Sequence, residues 1–343
     1  MKALVLEEYR KLVYKDVAEP EIKADEVLIK VKACGICGSD VHGFDGSTGR
    51  RLPPVIMGHE ASGIIMETGS EVIRWKKGDR VTFDSTVYPL DDWYTLKGRY
   101  NLSEGREVIG VSPEEYRRHG AFAEYLAVPQ HILYRIPDNV SFEQAAMTEP
   151  AAVAAHAVRI SGIRIGESAV VFGSGMIGTF IVHMLKSAGS TFVAAIDIDP
   201  EKLGMAETYG ADMTIHFGDP SLPQKIRERT GSRGADFGFE AIGISPAINR
   251  MMDVLRKGAT AVLVGNITPV IEFPLQKAVT SEIKVQGSCA INGEYEIVLD
   301  MIANGSLDVS GMISAVAPLS EGAEWFRKLY GKEGNYNKVI LIP

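Results

Sequence analysis

Cysteine is scarce: three residues in 343, at positions 34, 37 and 289, too few to staple a fold with disulfides. Positive charge is also in short supply, since 36 Lys and Arg stand against 44 Asp and Glu, for a formal net charge of -8. That balance gives no electrostatic reason to bind nucleic acid or an acidic membrane surface. No run reaches the roughly 18 apolar residues of a membrane span. The opening Met1-Lys-Ala-Leu-Val-Leu lacks a secretory signal pattern, and repeats, low-complexity tracts and basic runs are missing. These absences set the expectation of a cytoplasmic protein with neither nucleic acid nor membrane as partner. With 45% hydrophobic and 23% charged residues the chain is globular, and its length suits two domains.

Against that plain background one constellation stands out: Cys34-Gly-Ile-Cys37-Gly-Ser39-Asp-Val-His42, then Gly58-His59-Glu60, then Thr148-Glu149-Pro150. One thiolate, one imidazole and one carboxylate make a three-ligand zinc set with a fourth position open for water or substrate. Taken alone, Cys34 and Cys37 could equally be a redox pair, half of a structural zinc knuckle or two small packed thiols.

The second half carries a different signal. The apolar run 169–172 leads into Gly173-Ser-Gly175-Met176-Ile177-Gly178 and a helical pattern, and a further apolar run from 192 ends in Asp197, 19 residues beyond the third glycine. Strand, glycine turn, helix, strand and acid in this order are the fingerprint of dinucleotide binding. The first glycine permits the tight turn, the second lets the backbone approach a pyrophosphate, and the third lets the helix pack on its strand. A carboxylate at Asp197 accepts hydrogen bonds from ribose hydroxyls and repels the extra phosphate of NADP, so NAD is favoured. Lys202 either flanks the adenosine or is an ordinary solvated lysine.

Periodicity gives the organisation. Residues 1–152 read as mostly β, exemplified by the alternating Glu26-Val-Leu-Ile-Lys-Val-Lys-Ala33. From 153 to 288 strands at 212–216, 235–239, 259–264 and 282–286 alternate with helical stretches, the rhythm of an α/β, doubly wound parallel sheet.

These motifs, with Lys77-Gly-Asp-Arg-Val81 and Gly120-Ala-Phe-Ala-Glu-Tyr125, make the whole chain resemble the zinc-dependent medium-chain alcohol and polyol dehydrogenases. The Glu149-Pro150 pair is similar to the sorbitol and butanediol dehydrogenase branch. The resemblance implies a GroES-like catalytic domain over 1–152, a Rossmann NAD-binding domain over 153–288 and a return segment, 289–343, that completes the first. It implies one catalytic zinc held by Cys37 and His59, with Glu60 and Glu149 both candidates for the carboxylate ligand. The proton would leave through Ser39 and His42, with Glu60 at the same catalytic centre. Stretches 240–243 and 264–266, including Val264 and Gly265, would line the cofactor or merely end strands.

The implied substrate is a small-molecule secondary alcohol, a polyol, sugar alcohol or vicinal diol, and the implied assembly a homo-oligomer, dimer or tetramer. The rival readings are an L-threonine 3-dehydrogenase-like enzyme, a zinc-free NADPH quinone reductase, and a non-catalytic structural or regulatory protein that keeps the fold and cofactor site, against which the intact ligand set and relay residues speak. One departure from the family concerns a lobe where many relatives hold a structural zinc on four cysteines. Here those places read Pro89, Asp92, Thr95 and Ser103, so the structural zinc is expected to be absent and Tyr88, Trp93, Tyr94 and Tyr100 to hold the lobe by packing. Loops 43–49 and 84–118 are expected to shape the substrate pocket.

Overall fold

The computed structural model describes residues 1–111 and 118–343, so the part of the expected pocket loop at 112–117 lies outside the described residues. The chain divides into two compact units, Met1–Glu149 with Ile291–Pro343, and Pro150–Ala290.

The first unit is built around a seven-stranded sheet. Its path runs Leu133–Arg135, Arg80–Phe83, Glu60–Thr68, Glu26–Gly35, Lys338–Ile342, Ile313–Pro318, and Tyr125–Pro129 pairs with Glu26–Gly35 off this path. Val27, Ile29 and Val31 of the central strand are buried, as alternation demands, and Leu28 and Lys30 between them are partly exposed. Strand register sets distant residues side by side. Gly35 lies opposite both Glu60 and Ile340, so the end of the central strand brings residues near 60 and near 338 to one place. Phe44, Phe122 and Phe326 pack ring to ring beside it, with centroids 5.7–5.8 Å apart.

The second unit carries a six-stranded parallel sheet in the order Met213–His216, Phe192–Asp197, Ser168–Phe172, Ala235–Glu240, Leu255–Leu263, Lys284–Gly287. Ser168–Phe172 and Phe192–Asp197 are buried at every position, because helices cover both faces of such a sheet. The strand order reverses between Ser168–Phe172 and Ala235–Glu240, and the crevice beyond the carboxyl ends of that pair is where doubly wound sheets take ligands. This is the α/β architecture read from the sequence, a GroES-like unit and a Rossmann-like unit. No helix among the described residues is long and apolar enough to cross a membrane.

Candidate functional site

Cys37 caps the short helix Gly38–Gly43, and its Sγ accepts from the backbone N–H and the hydroxyl of Ser39 at 3.4 and 3.2 Å. Asp40 closes the cap from the other side, its Oδ2 accepting from the Cys37 N–H at 3.3 Å. His59 and Glu60 are adjacent, and on a continuous strand they would face opposite ways. The strand starts only at Glu60, however, and Gly58 two residues earlier has φ +94°, so His59 sits in the turn that leads into the strand and strict alternation does not apply to the pair. A Cβ at Gly58 would press on Cys34 Sγ and the Phe122 ring at 2.9 Å, which leaves Cys34 as a packed thiol whose pKa burial pushes well up.

The outcome is that Cys37 Sγ, a ring nitrogen of His59 and a carboxylate oxygen of Glu60 all lie within 4.8 Å of one another. Among the described residues this is the one such cluster found. Glu60 Oε2 pairs with Lys338 Nζ, and Oε1 is buried with no hydrogen-bond partner, a lone pair left over for a cation. Sulfur, nitrogen and oxygen donors that converge where His59 and Glu60 are buried and Cys37 is half-buried fit zinc.

Charges around the cluster oppose desolvation. Burial would depress the His59 pKa, but Asp40, 3.5 Å from Nδ1, and the Cys37 sulfur hold it well above its ordinary value. Burial likewise works against charged Lys338, and Glu60 more than offsets it, holding its pKa up. Asp40 is fully buried too, yet His59 and Arg51 hold its carboxyl below the usual range.

Glu149 stands apart from the three donors. It lies in the first turn of the helix Thr148–Ser161, accepts from Ser85 Oγ at 3.4 Å, and is outside the cluster. Burial first, then the charges of Glu60 and Asp84, raise its pKa to about 7 against the pull of His59 and Lys338. Ser39 touches Cys37, and His42 sits exposed three residues further along the same helix. Asp40, Arg51 and Lys338 were not found by sequence reasoning. Asp40 had a signal, since Cys37-x-x-Asp40 has capping-box spacing. Lys338 had none, being a lysine at the start of an apolar strand.

In the second unit Gly173 turns with φ +90°, and Gly175 caps the helix Met176–Ser187. A Cβ at Gly175 would face open space, whereas one at Gly178 would collide with the Gly173 carbonyl. Met176 and Ile177 open the helix, whose first N–H groups suit an anion. Asp197 Oδ2 accepts from the Ser174 N–H at 2.7 Å and Oδ1 from those of Ile198 and Asp199, which fixes the acid against the glycine turn. Lys202 lies in the first turn of the helix Pro200–Thr208.

Across the switch point, the buried Glu240 carboxylate accepts from the N–H groups of Ile242 and Gly243 at 3.0 and 2.8 Å. Its carbonyl accepts from those of Val264 and Gly265 at 2.9 and 3.0 Å. A Cβ at Gly265 would strike the backbone of 242–243, so these two loops interlock. That arrangement fits a dinucleotide held by backbone on both sides of the crevice.

Two family models match the chain. Residues 23–138 match the alcohol dehydrogenase GroES-like domain, and residues 177–304 match the zinc-binding dehydrogenase model. D-arabitol-phosphate dehydrogenase of Enterococcus avium is 32% identical over 338 residues, covering 97% of this chain and 94% of its own. Among solved structures, 2R,3R-butanediol dehydrogenase from Bacillus subtilis is similar with a TM-score of 0.89 at 30% identity, covering 100% of this chain and 99% of its own. A putative zinc-binding dehydrogenase from Sinorhizobium meliloti 1021, solved bound to NADP, has the same score, identity and coverage. The chain therefore belongs to the zinc-binding dehydrogenases that carry an alcohol dehydrogenase GroES-like domain.

Proposed function

We propose that this protein reversibly oxidises a secondary alcohol of a polyol, sugar alcohol or vicinal diol to a ketone, with NAD and one zinc per chain. The observation that carries this reading is the convergence of Cys37, His59 and Glu60 within 4.8 Å. In it these three residues hold the metal and Glu149 stands beside them. A bound zinc supplies Lewis acidity that makes an alcohol hydroxyl far easier to deprotonate. Ser39 receives that proton and His42 passes it to solvent. Gly173, Gly175, Met176, Ile177 and Gly178 cradle the pyrophosphate, Asp197 holds the ribose, and Lys202, Val264 and Gly265 flank the cofactor.

The similar protein from Sinorhizobium binds NADP, but here Asp197, fixed by backbone donors, places a negative charge where an extra phosphate would sit, which supports NAD. The domains fit the same reading: catalytic over 1–152 and 289–343, cofactor-binding over 153–288. A homo-oligomer is part of it too. The edge strand Lys284–Gly287 is exposed at all four residues, and Leu275 and Val279 on the preceding helix are exposed beside it, a free edge suited to a second copy. A cytoplasmic location belongs to the same reading.

The test is an activity screen across polyols, vicinal diols and 3-hydroxy amino acids with NAD and NADP in parallel. Oxidation of a polyol or diol with kcat/KM at least ~10-fold higher for NAD is expected. Turnover of L-threonine alone, or preference for NADP, would overturn the corresponding part.

A further inference from the structure

Arg51 is 2% exposed, and a charge buried to that extent requires partners. Its Nε and Nη2 donate to Asp40 Oδ1 at 3.3 and 2.8 Å, and the same Nη2 reaches Ser39 Oγ at 3.2 Å. The side chain passes over Gly43, where any Cβ would lie 2.5 Å from Arg51 Cγ. Asp40 in turn is tied to the Cys37 N–H and lies beside His59 Nδ1. One carboxylate thus links two of the three converging donors, and Arg51 extends that link to the hydroxyl beside them.

Pairing Asp40 would need only a positive charge. Nη2 spends its two hydrogens on the carboxylate and the hydroxyl while Nε adds a second bond to the same carboxylate oxygen, so the guanidinium plane fixes the direction of the Ser39 contact, which a freely rotating lysine ammonium does not. A serine hydroxyl has one hydrogen and two lone pairs, and Arg51 is a permanent donor with no acceptor atom. It therefore occupies one lone pair without being able to take a proton itself. One lone pair and one hydrogen remain on Ser39, a single way in and a single way out. The fixed positive charge also disfavours a doubly protonated oxygen, so an arriving proton is passed on rather than kept.

We propose that Arg51 is a positioning residue of the proton exit, holding Ser39 Oγ so that it accepts from the alcohol and donates toward His42. In the step the alcohol O–H breaks as a new Oγ–H forms, and the old Oγ–H breaks as a His42 nitrogen gains its proton. The hydrogen of Ser39 points at Cys37 Sγ in the structure, and rotation about Cβ–Oγ redirects it with the Arg51 contact kept. This inference rests on the alcohol dehydrogenase reading and on Ser39 as relay.

The experiment is a double-mutant cycle in the zinc-loaded enzyme: wild type, Arg51→Lys, Ser39→Ala and both together. R51K keeps a charge for Asp40 but loses the fork. If R51K does not fold, Arg51→Gln, with planar donors and no charge, takes its place in the same cycle. R51K is expected to lower kcat about 10-fold, raise the solvent deuterium isotope effect on kcat, and leave zinc content, NADH affinity and the KM for NAD at wild-type values. Added to S39A it should cost nothing more. An equal loss in the S39A background, or loss of zinc on R51K, overturns the proposal while leaving the dehydrogenase reading intact. A fully active S39A removes the relay, and a wild type inactive on every alcohol removes the reading itself, and either takes the proposal with it.

Discussion

Glu60 is buried and Glu149 half-buried, and different things hold the two carboxylates. Glu60 has Lys338 on one oxygen and an unpartnered second oxygen inside the donor cluster, whereas Glu149 faces Ser85. Glu60→Gln should therefore weaken zinc binding by at least ~100-fold and, by leaving Lys338 buried without its counter-charge, destabilise the fold by about 3–5 kcal/mol. Glu149→Gln should keep its zinc. Metal content after dialysis, read beside thermal midpoints, checks both, and the reverse pattern would exchange the two roles. The motif spacing left this choice open because the turn before Glu60 and the strand pairing that sets Glu60 opposite Gly35, not the pattern of neighbours, bring it to the cluster.

The lobe beyond Asp84 is an element whose support differs from expectation. Tyr88 and Tyr100 do stack, 4.3 Å apart, but Trp93 is 65% exposed and contributes little packing beyond its edge contact with Tyr94. Polar ties take over. Tyr100 OH donates to Asp84 Oδ2 at 2.7 Å and accepts from the Gly293 N–H at 2.8 Å, and Asn292 Nδ2 donates to the Gly98 carbonyl at 2.8 Å. Of the four places where relatives hold cysteines, Asp92 instead caps the helix Trp93–Leu96.

Burial raises the Asp84 pKa to about 6 despite the Thr86 N–H and Tyr100 OH that favour its charge. A pKa raised on folding gives stability that is full below the unfolded value, near 4, and is lost as pH rises through about 6. Asp84→Asn removes that loss, because its oxygen can face Thr86 N and its amide Tyr100 OH. The variant's advantage in stability over wild type should grow by roughly 1–2 kcal/mol between pH 5 and pH 7.5, at saturating zinc. Unfolding curves at the two pH values read it directly, and a constant difference would mean that Asp84 titrates normally.

For the whole molecule the donor inventory sets the metal count. With one converging set among the described residues and no thiolate in the lobe, the purified protein should hold close to one zinc per chain, and thorough chelation should abolish turnover while sparing dinucleotide binding in the second unit. Metal analysis giving two equivalents, or full activity after chelation, would count against this.

The sequence by itself determined what depends on near neighbours. Buried β-branched runs, the glycine turn and the acid after the second strand fixed a parallel sheet with a phosphate-type cradle, since each feature expresses a backbone preference within a few residues. The ligand candidates were legible for the same reason, as rare residue types in short motifs. Only the tertiary structure decided which carboxylate joins the cluster and how its charges are balanced. Lys338 meets Glu60 across 278 residues because both strands flank the end of Glu26–Gly35, and Arg51 reaches Asp40 because Gly43 leaves it room. Compensation of a buried charge is a demand of the low-dielectric interior, and any residue that register delivers there can meet it, so no local pattern announces which one will.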